Sequence, residues 1–210
     1  EPGGTMTFRY ALPSAEYEDP QGVLDFQRRL TDRLAAAPGV QQVGMVSGLP
    51  LTGAKTASPM EPVDRPYAEG ELGPIVEVRS TTPGYFDAMR IEMVEGRPLE
   101  WDHQADQLRG VVISEALAQA FWPGEPAVGR QIRGQGDEFA WEVIGVAEDV
   151  RFDGVEDEPL PLIYFPALQG TPEALQPTRN MDVVIRVDGD PLGAVAAARE
   201  ALRAADPRLP

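Results

Sequence analysis

The chain's one histidine, His103, stands between Asp102 and Asp106, which makes that stretch the first place to look for metal or acid–base chemistry. A structural zinc site needs about four ligands in fixed geometry. A single imidazole beside two loop carboxylates falls short of that, so the segment reads as a solvated loop. Ser47-Gly48 in GMVSGLP invites comparison with a nucleophile elbow, but Met45 stands where that turn requires glycine, and nothing brings His103 to Ser47 as a base. Gly129–Gly136 (GRQIRGQG) lacks both the dinucleotide fingerprint and the lysine–hydroxyl ending of a phosphate loop. Its Arg130 and Arg133 are expected to pair with carboxylates, and its glycines to form a hairpin or tight turn. The acidic groups Glu16, Glu18 and Asp19, and Glu156, Asp157 and Glu158, do not follow the spacing of a calcium loop. With 34 acids in the chain, carboxylate pairs abound and none is singled out for catalysis. The residues thus predict no catalytic residue, no cofactor and no metal.

Charge narrows the partners. Against those 34 acids stand 18 Lys and Arg, a formal net charge of -16, and such a field repels phosphate backbones and anionic headgroups. Nucleic acid is therefore excluded as a partner. The absence of cysteine removes disulfides, thiolate metal sites and a thiol nucleophile. No run approaches the roughly 18 apolar residues of a membrane span. The chain is expected to be a piece of a larger protein.

The elements that would carry any site follow from periodicity. Thr5 to Leu12 alternates as a strand, and Val23, Phe26, Leu30 and Leu34 fall on one helical face that Pro38-Gly39 ends. Val40–Ser47 completes a strand–helix–strand opening. Gly48–Gly73 carries four prolines and reads as a loop or hairpin excursion, and Pro74–Ser80 as a strand. Thr82-Pro83 opens a short helix with Tyr85, Phe86 and Met89 inward. Val111–Ile113 is a strand, and Ser114 is the expected N-cap of a helix from Glu115 to Phe121. Strands follow at Trp141–Val150, bent at Gly145, at Leu162–Phe165 and at Asp182–Val187. Asp190-Pro191 then starts a helix whose stripe is Leu192, Val195, Ala198 and Leu202. Strand–helix–strand at the front and strand–helix at the back predict an α+β fold: a body lobe, residues 1–80 and 141–210, split around a smaller lobe, residues 81–140. Trp101 and Trp122 stand beside turn signals, where an aromatic either anchors a protein contact or plugs the base of a lobe.

Five segments taken together carry a family resemblance. They are VGMVSGLPLTG (Val43–Gly53), STTPGYFDAMRIEMVEGRPL (Ser80–Leu99), VVISEALAQAFWPGEPAVGRQI (Val111–Ile132), WEVIGVAEDVRFDGVEDEPLPLIYFP (Trp141–Pro166) and DPLGAVAAAREALRAADPRLP (Asp190–Pro210). In order and spacing they cover nearly the whole chain, which resembles the extracytoplasmic core domain of MacB-like and FtsX-like ABC transporter permeases, in particular the subgroup with duplicated permease modules. The resemblance implies a noncatalytic, two-lobed domain on the periplasmic side of the bacterial inner membrane, inserted between membrane helices of its own permease chain. It implies a separate cytoplasmic ATPase as power source, with an envelope adaptor or lipoprotein as a further partner. It transfers no catalytic residue. It carries over Tyr85 and Phe86 (of PGYF) and Phe121 and Trp122 (of FWPG) as core anchors, and Pro123, Gly124 and Gly129 as turn formers. With both flanks in a membrane, the two ends are expected on one side of the body. On the residues alone, a stand-alone binding module and a hydrolase or metalloenzyme domain stay open as alternatives.

Overall fold

Met6, Phe8 and Tyr10 alternate along β1 (Thr5–Ala11) and turn toward a helix layer. The structure, a computed structural model, describes residues 4–53, 56–68, 70–101, 110–151, 159–171 and 174–208. Helix α1 (Pro20–Ala35) starts earlier than its apolar stripe suggests, because Pro20 tolerates the first helical position and the Asp19 side chain accepts the Gln21 N–H at 3.1 Å. Its Val23, Phe26, Leu30 and Leu34 are all buried. Strand β2 (Val40–Val46) and β1 flank β12 (Asn180–Val187) in an antiparallel set, with β1 at the edge. After a 3₁₀ turn (Pro191–Ala194) capped by Asp190, α4 (Val195–Ala205) returns beside α1. Ala194, Ala198 and Ala201 carry the buried stripe of this last segment, and Val195 and Leu202 sit at its margin. Leu192, expected inward, is 76% exposed, because the 3₁₀ start changes the helical phase. These elements form a two-layer sandwich around one apolar cluster.

A second unit is a closed barrel. Strands β4 (Ile75–Thr81), β3 (Ala57–Pro62), β7 (Gln131–Gly134), β8 (Trp141–Ala147), β6 (Gly110–Ser114) and β9 (Leu162–Pro166) pair in that order, and β9 returns to β4 in parallel. Closure leaves these strands without an open edge on the ring. β5 (Met93–Gly96) pairs with β8 outside it, and β10 (Leu168–Thr171) with β11 (Ala174–Pro177) makes a small hairpin. Helix α3 (Glu115–Phe121) packs Leu117 and Phe121 against the barrel, and the Ser114 hydroxyl accepts the Leu117 N–H at 3.2 Å as the expected cap. Gly129–Gly136 forms the expected hairpin, its β7 pairing antiparallel with β8, and Gly48–Gly73, read as a loop or hairpin excursion, supplies β3, so both stretches provide staves of the barrel.

The lobe boundaries at 81 and 141 do not fall between the apolar clusters. The barrel takes β3 and β4 from before residue 81, β6 and β7 from 81–140, and β8 and β9 from 141–210. The sandwich and barrel meet where β2 passes to β4. The pair Val46–Thr81 is reinforced by Ser47 N–H to Ser80 O at 2.9 Å, Ser80 N–H to Ser47 Oγ at 3.0 Å and Met45 N–H to Thr82 Oγ1 at 2.9 Å. Helix α2 (Tyr85–Met89) sits over this junction in a third cluster that holds Val46 and Val184 from the sandwich sheet with Val112, Ile144 and Tyr164 from the barrel. The described chain leaves at opposite ends of the sandwich, with Gly4 beside Val187 and Asp206 beside Tyr17. This corrects the expectation of a same-side exit: α4 runs alongside β1 in the same direction, so it carries the chain away from Gly4.

Candidate functional site

The junction is built on two glycines. A Cβ on Gly44 would lie 2.3 Å from Tyr85 Cα, and one on Gly84 would lie 2.4 Å from Val43 O. Gly84 also has a φ of 86°, the left-handed region that glycine enters without strain. Together they let the PGYF backbone lie directly on β2. Tyr85 and Phe86 then point into the third cluster, where Phe86 meets Tyr164 edge-on with ring centroids 5.0 Å apart and Tyr85 lies 6.1 Å from the same ring. The Tyr85 and Tyr164 hydroxyls are buried without hydrogen-bond partners, and burial pushes both phenols above their ordinary value. They remain neutral and serve as packing. The Arg186 guanidinium from β12 donates from Nε and Nη2 to Ala88 O at 2.9 and 2.6 Å, which satisfies a carbonyl at the end of α2. Burial lowers its pKa, with Arg90 contributing. Nearby, Asp182 accepts a bidentate pair from Arg9 at 2.7 and 2.8 Å and the Leu49 N–H at 3.2 Å. Ser47, the elbow candidate, is thus a strut of the junction.

On the barrel, Phe121 and Trp122 are buried in the second cluster, and the FWPG turn is tied to the residues after β3. Trp122 Nε1 donates to Asp64 at 3.1 and 3.3 Å, Arg130 Nη1 donates to the same carboxylate at 2.7 Å, and its guanidinium lies 5.4 Å from the indole centroid. Glu125 receives Arg130 and Arg65, each at 2.5 Å, and those two arginines hold its carboxyl below the usual range. Pro123 is exposed, and Gly124 and Gly129 have φ of 75° and 87°, the left-handed region that glycine enters without strain. A cleft of about 500 Å³ beside α3 includes Trp122, Glu115, Glu125 and Asp149 in its lining. Asp149 accepts the Ala116 N–H at 2.9 Å and is thereby engaged with the start of α3.

Trp101 is half-buried, with Arg28 5.4 Å from its ring and donating to its carbonyl. The other proposed chemistry resolves as follows. His103, Asp102 and Asp106 lie outside the described residues, as do Glu156, Asp157 and Glu158. Arg133 pairs with Glu61 at 2.7 Å, Glu16 pairs with Arg208, and Asp19 caps α1. Among the described residues no group of three or more His, Asp or Glu is placed to hold a metal. The junction residues Gly44, Arg186 and Asp182 gave no sequence signal, because their partners are remote in the chain. Only the strands that hold them were visible.

These two units joined by α2 define the extracytoplasmic domain of an ABC transporter permease. Residues 7–205 match the MacB-like periplasmic core domain, and the chain belongs to that family. The fold resembles the extracellular domain of the noncanonic ABC-type transporter YknZ from Gram-positive bacteria, at 16% identity and a TM-score of 0.54, over 95% of this chain and 93% of that one. It also resembles the periplasmic region of MacB from Actinobacillus actinomycetemcomitans, at 16% identity and a TM-score of 0.58, over 96% and 84%. A domain of a protein described as a permease from Porphyromonas gingivalis aligns at 16% identity and a TM-score of 0.53, over 81% and 73%. No curated protein matches the sequence. Membership of this family makes the chain the extracytoplasmic domain of a permease linked to membrane-spanning helices.

Proposed function

We propose that the chain couples ATP-driven motion of its permease's membrane helices to a substrate or partner in the bacterial envelope, working on the periplasmic side of the inner membrane. The observation that carries this reading is the junction. Sandwich and barrel share one hydrogen-bonded sheet and the apolar cluster under α2, so a displacement of one unit is borne by packed groups. Packed cores transmit strain, whereas a flexible linker would dissipate it. In this reading the membrane helices belong to the same permease chain, a separate cytoplasmic ATPase supplies the work, and an adaptor or lipoprotein of the envelope is the receiving partner. Among the described residues no helix is long and apolar enough to cross a membrane.

Topology tests the location directly. With the full permease tagged and expressed in its host, protease added to intact spheroplasts is expected to cut within this domain while the flanking segments stay protected. Protection of the domain until the cells are lysed would sink the reading.

A further inference from the structure

The strand by which the described chain enters the sandwich is tied by side chains to the point where the chain leaves it. Beyond β1 a turn, in which Tyr17 N–H donates to Pro13 O at 3.1 Å, brings Tyr17 to the end of α4. There the Tyr17 hydroxyl donates to Asp206 at 2.6 Å. Arg208 donates to the same carboxylate from Nε and Nη2, pairs with Glu16, and lies 5.9 Å from the Tyr17 ring. Tyr17 is anchored in turn, its ring edge-on to Phe26 at 5.8 Å and its carbonyl accepting Arg179 Nε and Nη2 at 3.0 and 2.8 Å. Tyr17 and Asp206 are both buried, so the bonds on this carboxylate are charge-assisted and shielded from water. The pair from Arg208 to the more exposed Glu16 adds little.

This clamp sets where tension runs. From Gly4 to Tyr17 the connection is covalent, along β1 and its turn, and from Tyr17 to Arg208 it is the clamp. A pull between Gly4 and Arg208 therefore crosses one strand and three side chains, while α1, the barrel and α4 lie on the long covalent detour outside that path. Helix α4 depends on being bypassed. Its 11 residues are fewer than a helix needs to persist by itself, and a helix pulled from its end loses its bonds one after another rather than all together. We infer that Tyr17, Asp206 and Arg208 form a tension latch between the entry and exit of the sandwich. Closed, it makes a pull on the two exits move the sandwich as one body. Open, it leaves α4 to unravel, and the pull is spent in lengthening the chain. The latch deepens the coupling role proposed above and rests on that reading for the source of the pull.

The measurement is the lifetime of the folded 210-residue chain under constant tension in magnetic tweezers. The chain has no cysteine, so Glu1→Cys and Pro210→Cys supply unique handles on either side of the latch. A second attachment pairs Glu1→Cys with Gln119→Cys, at an exposed position of α3, so the pull enters the barrel and the latch lies off its path. Tyr17→Phe keeps the ring and removes the hydroxyl that donates to Asp206. It is expected to shorten the lifetime about tenfold in the first attachment, as the loss of a hydrogen bond to a carboxylate does, and to leave the second unchanged. Arg208→Gln, at a side chain 59% exposed, should act the same way without disturbing the core, and it carries the test should Tyr17→Phe fail to fold. Equal shortening in both attachments would make the three residues an ordinary stabilising contact, and no shortening in the first would show that tension bypasses them. Either result overturns the inference, as does a loss confined to the second attachment. Tension is applied here without a membrane, so failure of the latch is separable from failure of the spheroplast measurement, which would remove only the source of the pull.

Discussion

Two glycines of the same chain have opposite requirements, and the difference lies in what a Cβ would meet. At Gly44 it would strike the Tyr85 backbone at 2.3 Å, and backbone does not swing aside as a side-chain tip does. Gly44→Ala is expected to cost about 2–3 kcal/mol through overpacking of the junction, read as a lower urea midpoint. At Gly22, in the first turn of α1, the nearest atom is an Asp19 carboxylate oxygen 4.0 Å away. Gly22→Ala is expected to stabilise by up to about 1 kcal/mol, because alanine restricts the unfolded chain and fits the helix. A raised urea midpoint would show it. Glycine is a required residue in the first case and a replaceable one in the second, and no property of the residue itself distinguishes them.

Helix α4 is short and lined with alanine, so its attachment depends on its ends as well as its stripe. Just beyond it, Asp206 accepts Arg208 Nε at 2.8 Å and Nη2 at 2.6 Å, and the Tyr17 hydroxyl at 2.6 Å. The Arg208 hydrogen bonds, with the Tyr17 bond, hold the Asp206 carboxyl well below the usual range, although burial opposes them. Tyr17 is pushed up to about 12, first by burial and then by donating to that carboxylate. The sign follows from linkage. A carboxyl whose folded pKa is depressed contributes stability that is fully present above its unfolded value of about 3.9 and is lost as pH falls toward the folded value. Asp206→Asn is therefore expected to be less stable than the parent at pH 7. The gap should shrink as pH falls below about 4. Urea midpoints of both proteins across that range check it, and a gap independent of pH would exclude the ion pair as its source.

At the scale of the molecule, the question is whether the sandwich and barrel behave as one body. Trp122 and Trp141 lie in the barrel cluster, while the two longest helices, α1 and α4, lie on the sandwich. Tryptophan fluorescence in a Trp101→Phe background therefore follows the barrel, and far-ultraviolet circular dichroism follows mainly the sandwich. Because the junction cluster draws on both, the two urea curves are expected to superimpose. Two separate midpoints would show that α2 holds the units together too weakly to transmit load. Gly44→Ala extends this measurement, since loosening the junction should pull the two curves apart.

Local pattern carried much of the fold. Period-two alternation marked β1, the apolar run of DVVIRV marked β12, and the three-to-four spacing of Val23, Phe26, Leu30 and Leu34 marked α1. The caps at Ser114 and Asp190 marked the starts of α3 and the 3₁₀ turn that leads into α4. Those signals are legible because their causes act within a few residues. By themselves they determined an α+β chain with a strongly acidic surface, and five segments in register placed it among permease domains. The barrel was decided only in three dimensions. β3 is ASPMEP, without alternation and with two prolines, and it becomes a strand because β4 and β7 take it up on either side. The β4–β9 pairing that closes the ring joins Glu77 to Leu162. The junction likewise depends on Gly44 meeting Tyr85 and on Arg186 reaching Ala88. Contacts between residues so far apart leave no imprint on local spacing, because each partner's identity has meaning only once the fold has brought the other beside it.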